Sequence, residues 1–246
     1  MTYAYQFLSI LNSLLLVVVL VFLLRGSFRK FWVLLVYVAW ELIANATLTV
    51  LSLLYHGSDL VTGATTEAQR LYARLYWTND VVVDLLRFLL VIVLTHKATS
   101  ETRRVGVGRV LGGVAAAAVV LPFLLFDPSF RPDSNWPRSA WFNSTSELLN
   151  FGAAVMNLVL WGTLIASRRR GPQLLTVSAG LGVVVTGAAI AYGLRHFIPP
   201  GTFRSVPNLF LMLTQLAGFA IWCRAFWPAP KPRQAPGDAL PGRVGY

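Results

Sequence analysis

RGSFRKFWVLLVYVAWELIANATLTVLSLL, residues 25–54, decides the fold. It opens on Arg25, Arg29 and Lys30 and continues as an apolar run, Phe31–Leu54, in which Glu41 is the one ionisable side chain. A helix needs about 20 apolar residues to cross the hydrocarbon core of a bilayer, and this run is long enough. Comparable runs lie on both sides of it. Phe7–Leu24 precedes it, and Tyr76–Thr95, Val110–Phe126, Leu148–Ala166, Leu174–Leu194 and Leu209–Phe226 follow. The pattern predicts an all-α, polytopic membrane protein, a bundle of seven transmembrane helices over residues 1–227. Residues 228–246, rich in Pro, Gly and Lys/Arg and without apolar periodicity, are expected to form a disordered cytoplasmic tail.

Composition agrees with a lipid environment. The chain is 56% hydrophobic and 13% charged, with a mean hydropathy of +0.61. Soluble domains carry about 25% charged residues. The runs and their connectors use nearly the whole length, so a separate soluble catalytic domain is not expected. A net charge of +11 raises the question of nucleic acid, but in a chain of spans basic residues set orientation and contact anionic lipid. The expected partner is therefore the bilayer, not nucleic acid. Cys223 is the only cysteine, which excludes an internal disulfide and a Cys-based metal cluster.

The connectors alternate in basic density. Arg25, Arg29 and Lys30 follow the first run; Lys97, Arg103, Arg104 and Arg109 the third; Arg168, Arg169 and Arg170 the fifth; Arg224, Lys231, Arg233 and Arg243 the seventh. The opposite connectors are longer and hold only Arg70, Arg74, Arg131, Arg138, Arg195 and Arg204. The positive-inside rule then puts the N-terminus outside and the C-terminus in the cytoplasm. Basic residues follow the first run and none precedes it, the reverse of a cleaved signal peptide. Aromatic residues such as Tyr55, Tyr76–Trp77, Trp141–Phe142 and Trp227 sit near the run ends, where amphipathic rings favour the interface. The outer connectors are the elaborate ones. Thr65–Tyr76, with Leu71, Tyr72 and Leu75 at helical spacing, is expected to be a short interfacial helix. Asp127–Glu147, with Pro128, Pro132, Pro137, Trp136 and Trp141, is expected to fold over the bundle mouth as an ordered cap.

Ionisable residues inside spans are costly, about 2.5–3.5 kcal/mol each on insertion scales, and mark candidate sites. The second run holds Glu41, with Asn45 one turn on; the third holds Asp80, Asp84 and Arg87, spaced by four and three and so on one helix face. Counting ~1.5 Å per residue from the cytoplasmic ends puts Glu41 about 15 Å deep, Asp84 about 16 Å and Arg87 about 12 Å. Glu41, Asn45, Asp80, Asp84 and Arg87 are therefore the candidate ligand, ion or proton site, with Arg87 expected to contact Glu41, Asp84 or both. The competing expectation is a polar clamp that holds spans two and three in register. Asn12, Asn157 and Gln215 are expected to hydrogen-bond between helices, and Glu147 to complement a helix N-terminus. His56 and His196 share the outer side but do not make a metal set. Gly180, Gly182, Gly187 and Gly193, and the glycines of residues 108–112, are read as close helix packing.

Several motifs are set aside. Gly106-Val-Gly108 with Gly112–Gly113 mimics a dinucleotide fingerprint, but no strand precedes it and an apolar run follows. Asn79-Asp80 with Asp84 departs in spacing from the Asp-rich motif of membrane prenyltransferases, and a second such motif is missing. The last run has no Lys for retinal. There is no H-E-x-x-H, no G-x-S-x-G, and no His within a span for haem. No catalytic residue, metal site or cofactor is expected.

FRKFWVLLVYVAWELI (residues 28–43) and YARLYWTNDVVVDLLRFLLVIVLTHK (residues 72–97) resemble corresponding parts of uncharacterised bacterial seven-helix membrane proteins. In those, too, the second helix follows a basic turn and a Tyr-Trp pair opens the third. The resemblance covers mainly the first three spans and implies a small, multi-pass protein of the bacterial inner membrane. No activity comes with it. The asymmetry between aromatic outer connectors and short basic inner ones leads to a first expectation of a sensor or receptor-like module that signals to a cytoplasmic partner. A small transporter or proton-coupled carrier using Glu41, Asp84 and Arg87, and a structural subunit of a larger membrane complex, are the alternatives.

Overall fold

The computed structural model describes residues 2–56, 67–100, 112–114, 116–117, 120–121, 138–166, 172–197 and 205–227, and no strand occurs among them. The long helices are α1 (Thr2–Phe22), α2 (Trp32–His56), α3 (Glu67–Ser100), α4 (Arg138–Ala166), α5 (Pro172–Phe197) and α6 (Ser205–Phe226); α1 runs on into a π-turn at Leu23–Ser27. Five stretches are long and apolar enough to cross a membrane: Phe7–Gly26, Trp32–Leu51, Ser144–Ile165, Pro172–Arg195 and Val206–Phe226. The chain is thus an all-helical, multi-pass membrane protein. α3 is longer than any of these, at 34 residues, but Asp80, Asp84 and Arg87 interrupt its apolar stretch. Of the expected run Val110–Phe126, residues 112–114, 116–117 and 120–121 are helical and the others lie outside the described residues, as does the tail 228–246.

Exposed side chains show where lipid goes. Phe7, Ile10, Leu14, Val17, Val21 and Leu24 form an uncovered stripe along α1, and Phe151, Val155, Leu158 and Ile165 form another along α4. In water such stripes would drive association; in hydrocarbon they are the ordinary outer surface of a bundle.

Among the described helices, spatial neighbours run from α1 through α2, α3, α4 and α5 to α6, which returns to α1, and α3 also reaches α5. One end of this arrangement is basic and aromatic. There Lys97 Nζ donates to the Lys30 carbonyl at 3.0 Å, Lys30 Nζ donates to Gln173 Oε1 at 3.3 Å, and Phe31 meets Phe226 edge-on at 5.4 Å. At the other end Trp77 stacks on Phe142 at 6.2 Å and Arg195 donates to Asn208 Oδ1 at 2.9 Å. Farther along the same two helices as the Trp77–Phe142 stack, a Cβ on Gly152 would stand 3.0 Å from the Phe88 ring. α3 and α4 therefore run parallel.

α5 and α6 meet through small residues. A Cβ added at Gly180 would lie 2.5 Å from Trp222 Nε1 and 2.9 Å from the Gly218 carbonyl; one at Gly187 would overlap Thr214. Only glycine permits that approach, which lets the two backbones pack almost in contact. Trp222, fully buried, closes the seam: its indole N–H donates to the Val177 carbonyl at 2.9 Å. The close-packing expectation holds for Gly180, Gly182 and Gly187. Among the described residues a Cβ at Gly193 or Gly112 would meet nothing within 4 Å, so no close packing is seen there, and Gly108 lies outside the described residues.

Two further expectations change. The segment before Tyr76 is not a separate interfacial helix, because from Glu67 onward it is the first turns of α3. Leu71, Tyr72 and Leu75 continue the helical phase of the span with no breaker between them. Trp141 and Phe142 belong to the first turns of α4, not to a loop folded over the bundle; residues 127–137 lie outside the described residues. Because α4 starts at Arg138, Glu147 stands more than two turns inside the helix, too far from its N-terminus to complement it.

Candidate functional site

α2 and α3 meet around Arg87. Glu41 faces this seam from α2, and Asp84 reaches it one turn before Arg87 on α3. Arg87 Nη1 lies 2.9 Å from Asp84 Oδ1 and Nη2 lies 3.7 Å from Glu41 Oε1. The guanidinium Nε donates to the Tyr37 hydroxyl at 3.2 Å, and its carbon sits 5.8 Å from the centre of the Tyr37 ring. All four side chains are buried. Tyr37 precedes Glu41 by four residues, so both leave α2 on one face. In a low-dielectric bundle a buried guanidinium is tolerable only with opposite charge and hydrogen bonds at hand, and here it has both.

Asp80 and Asn45 sit apart from this group. Asp80 Oδ2 accepts from the Tyr192 hydroxyl at 2.5 Å, which ties α3 to α5. The guanidinium of Arg195, one turn along α5, lies 4.6 Å from the centre of the Tyr192 ring. Asn45 is half-buried on α2, and its carbonyl accepts from Thr49 Oγ1 at 2.7 Å. The structure thus brings Glu41, Asp84 and Arg87 together, links Asp80 to a neighbouring helix, and leaves Asn45 a turn away.

On the far side of Asp84 stand Ser146 and Asn150 of α4. Asn150 Nδ2 donates to the Ser146 carbonyl at 2.8 Å. Asp84 Oδ2, Glu41 Oε2, Ser146 Oγ and Asn150 Oδ1 are buried without a hydrogen-bond partner among the described residues. The site therefore offers acceptor oxygens beyond those Arg87 satisfies, and it sets two carboxyl groups, Glu41 and Asp84, against one guanidinium. Asn12 and Asn157 are likewise buried with an unpartnered amide oxygen among the described residues, so the expected interhelical bonds from these oxygens are not formed there. The side chains of His56 and His196 lie outside the described residues. No group of three or more His, Cys, Asp or Glu side chains suited to a metal occurs among the described residues.

The site is connected inward and outward. Inward, the Tyr37 ring meets Trp222 edge-on at 5.9 Å, and Trp222 lies against Phe219. Leu34, Val38, Leu90, Val91, Leu94, Phe219 and Trp222 are buried below the cluster, so that apolar side chains pack that part of the bundle. Outward, a cavity of about 300 Å³ opens between α2 and α3. Trp40, Ala44, Thr47, Leu75, Asn79 and Val82 are among its walls. Trp40 Nε1 donates to Asn79 Oδ1 at 3.1 Å. Trp40 and Asn79 directly precede Glu41, which is buried, and Asp80, which is half-buried, so the walls of the groove and these acids are adjacent on the same two helices. Trp40 and Ile43 are exposed on the bundle surface, and the groove is open to the side. Its α2 wall, from Trp40 to Leu48, is about 12 Å long.

Tyr37, Tyr192, Ser146, Asn150 and the Trp40–Asn79 pair are parts of this site that sequence reasoning does not assign to it. The i, i+4 spacing of Tyr37 and Glu41 is a usable signal. Tyr192 carries none, because its partner is on a distant helix.

A comparison with protein-family models, curated proteins and solved structures finds no match for this chain.

Proposed function

We propose that this protein is a seven-span membrane sensor of the bacterial inner membrane, with its N-terminus outside and its C-terminus in the cytoplasm. It takes an apolar or amphiphilic ligand into the α2–α3 groove and passes the change to a cytoplasmic partner. The carrying observation is the order of features along one seam: a laterally open groove, then the Arg87 cluster, then buried apolar side chains that lead to the basic end. A ligand against Trp40 and Asn79 alters the packing of the residues next to Glu41 and Asp80. The strain reaches Arg87, then Tyr37 and Trp222, and so α6. No enzymatic step is part of this role.

Seven crossings fit the parallel run of α3 and α4. Both travel toward the basic end, so α4 starts at the end opposite to the one where α3 stops, as one further crossing between them would require. The helical residues 112–114, 116–117 and 120–121 lie between them in the chain. The Lys/Arg distribution supports the orientation, since Lys30, Lys97 and Arg224 all belong to the end that the positive-inside rule assigns to the cytoplasm.

One observation favours a second role, proton-coupled transport. Two carboxyl groups, Glu41 and Asp84, face one guanidinium, an excess of acid over base in a buried site. The buried apolar side chains of Val38, Val91, Phe219 and Trp222 below the cluster count against a through-path. Cys223 separates the two roles. It is half-buried in α6 beside Trp222, with its thiol 3.9 Å from the Leu15 carbonyl. Amphiphiles that raise the melting temperature of the purified protein should change the maleimide labelling rate of Cys223, and Ala44→Trp, which fills the groove, should abolish both effects. Unchanged labelling in the presence of a stabilising amphiphile would contradict the sensor. Acid-driven proton flux into liposomes, lost in Glu41→Gln, would establish the carrier instead.

A further inference from the structure

A second cavity lies on the same seam at the basic end, about 140 Å³ in volume, between the start of α2 and the end of α3. Its floor is Leu34, Leu90 and Leu94, and its mouth carries Arg29, Lys30 and Lys97. The two lysines converge on one aromatic ring: Lys30 Nζ and Lys97 Nζ each lie 5.4 Å from the centre of Phe31. Their positions are fixed from behind. Lys97 Nζ donates to the Lys30 carbonyl, and Lys30 Nζ reaches Gln173 on α5. Partial burial and the neighbouring Lys30 hold the Lys97 ammonium below the usual lysine range. Three cations gathered over a hydrocarbon-floored crevice at the end of the spans match the two parts of an anionic phospholipid. A phosphodiester satisfies ammonium and guanidinium groups through charge-assisted hydrogen bonds, and an acyl chain fills an apolar gap that opens to the bilayer.

We propose that this crevice is a binding site for an anionic glycerophospholipid, its phosphate held among Arg29, Lys30 and Lys97 and the upper part of one acyl chain on Leu34, Leu90 and Leu94. The site does not depend on the sensor role. It differs from the general attraction of a basic surface to acidic lipid because the cations share one cavity with an apolar floor. Arg25 and Arg224, exposed at the same end, lie outside that cavity.

Native mass spectrometry of the intact protein in mixed detergent micelles with equal phosphatidylglycerol and phosphatidylcholine tests this. At least one tightly retained phosphatidylglycerol is expected, with roughly a tenfold preference over phosphatidylcholine and a loss of about threefold in that preference for each lysine removed. Lys30→Gln/Lys97→Gln should erase most of the preference, while the control Arg25→Gln/Arg224→Gln retains it. Equal retention of the two lipids by the parent protein overturns the proposal without recourse to any variant. So does equal loss in the control pair, which would reduce the effect to surface charge. Inorganic phosphate separates a lipid from a soluble anion. If tens of millimolar phosphate displaces the bound phosphatidylglycerol and reproduces its thermal stabilisation, the crevice is an anion site and the acyl-chain assignment falls.

Discussion

Two seams of the bundle are built on opposite principles. Between α5 and α6, glycines bring the backbones into near contact and Trp222 fills what is left. Between α2 and α3, a charged cluster sits mid-seam, with a cavity of about 300 Å³ on one side and one of about 140 Å³ on the other. Close packing leaves one arrangement of two helices, because any displacement opens voids or forces overlap. A pin between two cavities permits rocking, since helices can tilt about the charged contact while the gaps open and close in opposition. The lesson is where motion is available. The first seam is the frame, and under the proposed sensor role the second is the part that a ligand would move.

The largest expected effect comes from the pin. Arg87→Ala leaves Glu41 and Asp84 buried and uncompensated, and should destabilise the protein by about 3–5 kcal/mol in detergent melts. A melt like the parent's would show that the cluster bears no load. The frame comes next. Gly218→Val forces a branched side chain against the Gly180 carbonyl and Val184, and should cost about 1–3 kcal/mol. Ala44→Val, which adds the same kind of bulk to the open groove, should stay within about 0.5 kcal/mol of the parent. Similar costs at the two positions would erase the contrast between the seams. Tyr192→Phe removes the hydrogen bond to Asp80 and, at the magnitude found for polar contacts within membranes, should cost about 0.6 kcal/mol. A loss several times larger would place part of the pin at Asp80.

Much of this is legible in the sequence. Seven apolar runs are read as spans, and five of the described helices are long and apolar enough to cross a membrane; counting ~1.5 Å per residue from the basic ends groups Glu41, Asp84 and Arg87. Counting works for depth because a spanning helix has a fixed rise. It says nothing about azimuth between helices, which is why it misses Tyr192. The grooves are not legible either. Trp40, Ala44 and Leu75 look like any lipid-facing residues in a run, and a cavity exists only once two helices are set side by side. Gly193 and Gly112 read as packing positions along with Gly180. The letter is the same, but only a neighbouring backbone decides whether a missing side chain matters.

The most direct test of a mobile α2–α3 seam is a pair of distance measurements by pulsed electron paramagnetic resonance. In a Cys223→Ser background, spin labels at exposed Val50 and Leu71 report on α2 and α3, and labels at exposed Ile190 and Leu209 report on α5 and α6. A frame and a hinge predict one narrow distance for α5–α6, and for α2–α3 a broad or double distribution that collapses to one distance when an amphiphile occupies the groove. Equally narrow distributions at both seams, unchanged by amphiphile, would contradict the hinge.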